Sequence, residues 1–409
     1  MSLAIAGIST VVEWYDFTLY LYLATLLSRV FFGNGATSLL ATLGGFAVAY
    51  LMRPLGALAF GHLGDRHGRR PAMLGAMGLM TVAMLVTALL PSHTQVGTTA
   101  GTLLLLIRCL MGFSVGGEYT GVVAYLLEGA EPQRRGLITS LAAAASEIGA
   151  LLAAAISALT VGLLSETALM SWGWRLPFLF GALLAGSVLF ARLRIEESPE
   201  FERQRRCGSV PRQPLQHALR HHRAGILRGF AISALGSITY YVGITYVPVF
   251  LVSTSHMSEA QALQLAMIAA IAVVAVTPLV GALSDRIGRR PVLLTLALLS
   301  ALLPLMMFGV MAEGSPGLIL ACAVVLAALA GGVSAVGAVA TAEQFPGEGR
   351  LSGLALGATS ATALFGGIAP YLAQLMLART GWSAVPGAMI ALVALLVVPV
   401  IANMPGTGK

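Results

Sequence analysis

Long apolar runs alternate with short polar breaks along this chain. The runs lie near residues 5–31, 37–61, 71–91, 101–127, 136–164, 174–191, 225–252, 259–283, 291–312, 316–342, 351–378 and 382–403. A helix needs about 20 mostly apolar residues to cross the hydrocarbon of a bilayer. The pattern therefore predicts an all-α membrane protein with twelve transmembrane helices. The longest polar stretch, 192–224, contains Glu196, Glu197, Glu200 and Glu202 among many arginines and separates six runs from six. It divides the chain into an N-terminal six-helix bundle over 1–191, a linker over 192–224 and a C-terminal six-helix bundle over 225–409.

Composition turns this pattern into exclusions. The chain is 57% hydrophobic and only 10% charged, against roughly 25% charged in a soluble domain, so a soluble globular enzyme is excluded. The single lysine is Lys409, which leaves no P-loop and no Schiff-base lysine. Cys109, Cys207 and Cys322 fit neither a disulfide framework nor a zinc site, and His217, His221 and His222 read as part of a solvated basic loop. No cofactor or metal is expected. The apolar first run carries Glu13 and Asp16 and lacks a basic lead-in, which argues against a cleaved signal peptide.

The net charge of +7 gains meaning from its distribution. Of 24 basic residues, 18 fall in alternate connections and at the C-terminus; Arg29, Arg175 and Arg379 lie in the opposite loops. The positive-inside rule then places both termini and the 192–224 linker in the cytoplasm. The partners so indicated are the lipid bilayer and a small solute, with no nucleic acid.

The two halves repeat. Residues 61–74 read GHLGDRHGRRPAML and residues 281–294 read GALSDRIGRRPVLL, each between the second and third run of its half. A second pair follows: Glu128 and Arg135 are spaced as Glu343 and Arg350 are, each pair between the fourth and fifth run. Parallel repeats of six spans are a transporter plan.

The G-x-L-x-D-R-x-G-R-R segments resemble the loop signature of the major facilitator superfamily. EWYDF (13–17), RPLGALAFGHLGDRHGRR (53–70), GFSVGGEYTG (112–121), WGWRLPF (172–178) and TYYVGITYVP (239–248) look like its metabolite:proton symporter branch. That branch includes proline/betaine, 2-oxoglutarate, citrate and shikimate permeases. The resemblance implies the major facilitator fold and a proton-coupled symporter of the cell inner membrane, not an enzyme. It implies import of a small carboxylate-bearing solute by alternating access, with the monomer as functional unit. A sugar or drug transporter of another branch, or a ligand sensor that transports nothing, is the alternative. Osmotic gating by a long C-terminal helix is not expected. The resemblance also implies a gating role for Asp65, Arg66, Arg70, Glu128 and Arg135 and for Asp285, Arg286, Arg290, Glu343 and Arg350. In the superfamily the motif carboxylate caps a helix of the other half, where free N–H groups and the dipole favour an anion.

Charges inside hydrocarbon are costly, so each needs a partner, a cavity or a job. The runs contain Glu13, Asp16, Arg53, Arg108, Glu118 and Glu147. Asp16 and Glu147 each lie eleven residues into their run, near the midplane, and Glu13 lies one turn from Asp16 on the same face. Asp16 is the leading proton acceptor, with Glu13 and Glu147 as rivals. A substrate carboxylate that takes Arg108 from Asp16 would free the acid for a proton, a scheme supported by analogy with the superfamily; a static Asp16–Arg108 pair is the plain alternative. Arg53 and Glu118 lie at similar depth and read as a structural pair, with substrate contact as a second role for Arg53. Tyr240 and Tyr241, central in the seventh run, together with Tyr20, are substrate-wall candidates, and Pro248 is expected to kink that run. Ring faces suit a cationic head group and arginine suits a carboxylate, so zwitterionic and di- or tricarboxylate substrates both remain open.

Overall fold

The computed structural model describes residues 2–33, 35, 37–67, 69–116, 131–193, 219–220, 222–255, 257–345 and 353–404. Within them the chain forms twelve helical spans. They are α1 (Ser2–Tyr22, continued by Ala24–Phe32), α2 (Ser38–His67), α3 (Arg69–Leu89), α4 (Thr99–Ser114), α5 (Arg135–Leu163) and α6 (Arg175–Arg192) in the first half. The second half contains α7 (Arg223–Tyr240, continued by Tyr241–Thr245 and Val247–Thr254), α8 (Glu259–Ile287), α9 (Arg289–Glu313) and α10 (Pro316–Ala342). It closes with α11 (Ala355–Thr359, Thr362–Ile368 and Ala369–Thr380) and α12 (Val385–Ala402). Among the described residues, eight of these are long and apolar enough on their own to cross a bilayer, and bent α7 makes a ninth. Most of the linker over 192–224 lies outside the described residues.

The polarity of the bundle is inverted relative to a water-soluble protein. Leu279, Leu302 and Leu396 are each at least 65% exposed on the outside, while Glu13, Asp16, Arg53, Arg108 and Glu147 are buried. Lipid solvates the first set, and only pairing or an internal cavity can solvate the second.

The repeated turns differ from expectation in one respect. Asp285 does not follow its helix but lies in the last turn of α8, which runs on to Ile287. The stop is Gly288 at φ +102, a conformation that side-chain-bearing residues avoid. Its repeat partner Gly68 lies outside the described residues. Asp65 likewise falls within α2 rather than after it.

One close seam between the halves is α5 against α8. A Cβ on Gly281 would meet the Ser140 hydroxyl oxygen at 2.5 Å and the Gly136 carbonyl at 2.7 Å, so the backbones touch only because both residues lack a side chain. Elsewhere, breaks have local causes. Pro248 lacks an N–H, and α7 bends by 44° beside it. The turn before the bend widens so that the Tyr246 amide bonds the Tyr241 carbonyl at 2.9 Å. The expected kink is present, displaced to the wide turn that precedes the proline.

Gly281→Ala is expected to destabilise the folded protein by about 1–3 kcal/mol through overpacking. Gly78→Ala, where a Cβ meets nothing within 4 Å, should not. Thermal unfolding of both variants in detergent checks this, and equal midpoints would refute the close-contact reading.

Candidate functional site

The buried charges of the first half fall into two sets. On α1, Asp16 faces α4. Arg108 donates to it twice, at 2.9 and 3.0 Å, in a forked carboxylate contact. Asp16 is 0% and Arg108 2% exposed. The Arg108 guanidinium stands 5.1 Å from the centre of the Tyr20 ring, whose hydroxyl donates to the Thr42 carbonyl at 2.9 Å. Tyr20 thus supports the arginine and ties α1 to α2. None of these three residues lines the cavity between the halves described below.

Glu13, one turn along α1, has a different environment. Arg53 of α2 donates to it at 3.2 Å, with its guanidinium 4.0 Å from the Phe17 ring centre and 4.3 Å from that of Tyr50. Arg53 was expected to pair with Glu118. Among the described residues it pairs with Glu13; Glu118, the expected partner, lies outside them. Glu13 and Arg53 both line a cavity of about 140 Å³.

That cavity runs between the halves. The first half contributes Glu13, Trp14, Arg53, Ser146 and Glu147; the second contributes side chains of α7, α10 and α11, Tyr240 and Tyr241 among them. The wide turn of α7 begins at Tyr241 and leaves the two tyrosines side by side. Their ring centres are 5.2 Å apart, and Trp14 lies 5.0 Å from Tyr240 and 6.1 Å from Tyr241. The Tyr241 hydroxyl shares a hydrogen bond with that of Tyr50, which joins α7 to α2 across the interface. Tyr246 points elsewhere: it donates to Gln374 of α11. Glu147 is 2% exposed, and its Oε2 has no hydrogen-bond partner among the described residues.

Two further contacts cross between the halves, one at each end of the bundle. Asp285 accepts from the Gly136 and Leu137 amides at 2.8 and 2.9 Å, capping the first turn of α5. Arg289 bonds Asp285 at 2.7 Å and Ser284 at 2.8 Å, and reaches Glu343 at 3.4 Å. Arg286 and Arg290, expected in this cluster, are exposed, while Arg70 bonds the Leu193 carbonyl at 2.8 Å. Arg135 opens α5. Glu128, Arg350 and the side chains of Asp65 and Arg66 lie outside the description. At the other end, Arg29 of α1 bonds Glu259 of α8 at 3.0 and 3.2 Å and Glu166 at 2.7 Å.

Several of these residues were not singled out from the sequence. Arg289 had a signal, since it lies one turn after Asp285. So did Tyr50, three residues before Arg53, and Trp14 between Glu13 and Asp16. Arg29 and Glu259, 230 residues apart, had none.

A family model described as the Major Facilitator Superfamily matches residues 6–284 and 253–406. The chain belongs to the major facilitator superfamily. It is 35% identical to the alpha-ketoglutarate permease of Escherichia coli over 90% of this chain and 86% of that protein. It is 34% identical to an ectoine/proline transporter of Corynebacterium glutamicum, over 92% of this chain and 78% of that one. It is 33% identical to the citrate-proton symporter of Klebsiella pneumoniae, over 92% and 85%. These relatives lie in the branch that the motifs resemble. A structure of the E. coli xylose transporter shares the fold, with a TM-score of 0.77, 21% identity and coverage of 100% of this chain and 98% of that one. The protein is thus a multi-pass membrane transporter of this superfamily.

Removing one member of the sealed Asp16–Arg108 pair strands a buried charge, so Arg108→Gln is expected to cost about 3–5 kcal/mol of stability. Adding Asp16→Asn should recover most of that loss. Unfolding midpoints of the single and double variants measure it; additive losses would show that the two residues do not act as a pair.

Proposed function

We propose that the protein is a proton-coupled symporter of the bacterial inner membrane that imports a small carboxylate-bearing metabolite. It works as a monomer by alternating access. The halves 1–191 and 225–409 move about the 192–224 linker, and both termini face the cytoplasm. The observation that carries this reading is the Glu13–Arg53 pair on the wall of a cavity shared by both halves. A substrate carboxylate entering the cavity competes with Glu13 for the Arg53 guanidinium. Once Arg53 turns to the substrate, Glu13 loses the charge that holds it ionised, and burial then favours its protonated form. Binding of the anion and uptake of the proton thereby favour one another, as symport requires.

The Asp16–Arg108 pair is read here as the brace that fixes α1 on α4, since it is enclosed and already doubly bonded. Access alternates as contacts at the two ends break and reform. One end is held by the Asp285 cap on α5 and the Arg289–Glu343 contact, with Asp65, Arg66, Arg70, Glu128, Arg135 and Arg350 as the matching charges of the repeated motifs. The other end is held by Arg29 and Glu259. The basic turns put the Asp285 end in the cytoplasm.

Purified protein in liposomes should accumulate labelled substrate only when an inward proton gradient is imposed. Glu13→Gln should keep counterflow exchange but lose gradient-driven accumulation. Equal accumulation by Glu13→Gln and the unaltered protein refutes the coupling role. Accumulation indifferent to the gradient refutes symport itself. Exchanging the outer charges tests the Arg29–Glu259 contact separately: Arg29→Glu should slow counterflow, and adding Glu259→Arg should restore part of it.

A further inference from the structure

The symport reading leaves the second cavity carboxylate without a task. Glu13, Arg53 and Glu147 are the charge-bearing side chains on the described wall, two carboxyl groups to one guanidinium. Glu13 takes Arg53. Glu147 is buried on α5 with Oε2 unbonded among the described residues, although a buried carboxylate is tolerated only with a partner or a proton.

Three ring systems line the same cavity. Trp14 meets Tyr240 edge-on at 77° and stacks on Tyr241 at 23°, and the two tyrosines meet edge-on at 72°. Ring faces carry negative potential and attract ammonium groups, strongly so where water is excluded. Glu147 is close enough to Tyr240 to act on it electrostatically. A buried carboxylate beside a cluster of aromatic rings is the chemistry that receives a positively charged nitrogen.

We propose that Glu147, Trp14, Tyr240 and Tyr241 form a subsite for a cationic nitrogen, so that the transported solute is a zwitterion and not a di- or tricarboxylate. The proposal rests on the reading of this cavity as the transport site. The charges then balance in pairs. The substrate carboxylate neutralises Arg53, its nitrogen neutralises Glu147, and one proton neutralises Glu13. A dicarboxylate held by Arg53 would instead bring its second anion towards Glu147 and the ring faces, and Glu147 would need a second proton.

The test is equilibrium binding on purified full-length protein in detergent, with proline, glycine betaine, 2-oxoglutarate and citrate as probes. Proline or glycine betaine should bind, and 2-oxoglutarate and citrate should not. Glu147→Gln should weaken zwitterion binding by about tenfold or more, the scale of a lost charge-assisted contact. Tyr240→Leu should weaken glycine betaine binding in the same direction. A cooperative thermal transition shows that each variant is folded, and the four-probe comparison on the unaltered protein needs no variant. Binding of 2-oxoglutarate or citrate in preference to both zwitterions overturns the proposal. So does a folded Glu147→Gln that binds zwitterions as tightly as the unaltered protein. Zwitterion binding without gradient-driven uptake counts against symport and leaves the subsite standing. Gradient-driven uptake of citrate does the reverse.

Discussion

An ionised side chain at the centre of a bilayer costs roughly 2.5–3.5 kcal/mol even on insertion scales, and this bundle meets that cost differently at each site. Asp16 and Arg108 meet it by enclosure, with a forked contact that leaves neither exposed. Glu13 and Arg53 meet it by pairing on a cavity wall, with the Phe17 and Tyr50 rings against the guanidinium. Glu147 has the cavity but no bonded partner at Oε2 among the described residues. That gradation, from enclosed pair to cavity-wall pair to a carboxylate with one oxygen unbonded among the described residues, is what the proposed division between brace and transport site rests on.

The same logic operates at the two ends of the bundle. A carboxylate set against free amides at a helix start is favourable but reversible. Asp285 makes this contact across the seam between the halves, and Arg289 holds the carboxylate in place from one turn away. At the opposite end Arg29 spans the seam to Glu259. The halves meet through glycine beside the Asp285 cap at α5–α8 and through tyrosine hydroxyls at α2–α7. Smooth packing and a few polar links are what the proposed opening and closing of the two ends would work on, since neither requires a core to be rebuilt.

Much of this was legible in the chain. Twelve apolar runs gave the spans, and the repeated Asp–Arg turns gave the two halves and their order. The Asp16–Arg108 contact was anticipated by analogy with the superfamily. The Glu13–Arg53 contact was not anticipated. Helical periodicity gives the depth of a side chain and its face on its own helix, but not how that helix is rotated against its neighbours. For Glu13 and Arg53 it is the rotation of α1 against α2 that brings the two side chains together.

By itself the sequence determined that the protein spans a membrane, how often it does so, and that few charges lie inside. Those facts follow from local apolar content and from the energetic penalty on isolated charge. Tertiary packing alone decided which of those charges meet and which face the cavity. The contacts concerned join residues 40, 92 and 230 positions apart, across helices whose relative rotation no local pattern encodes. It also gathered Trp14, Tyr240 and Tyr241 into one ring cluster, since α1 and α7 belong to different halves and touch only when the bundle closes.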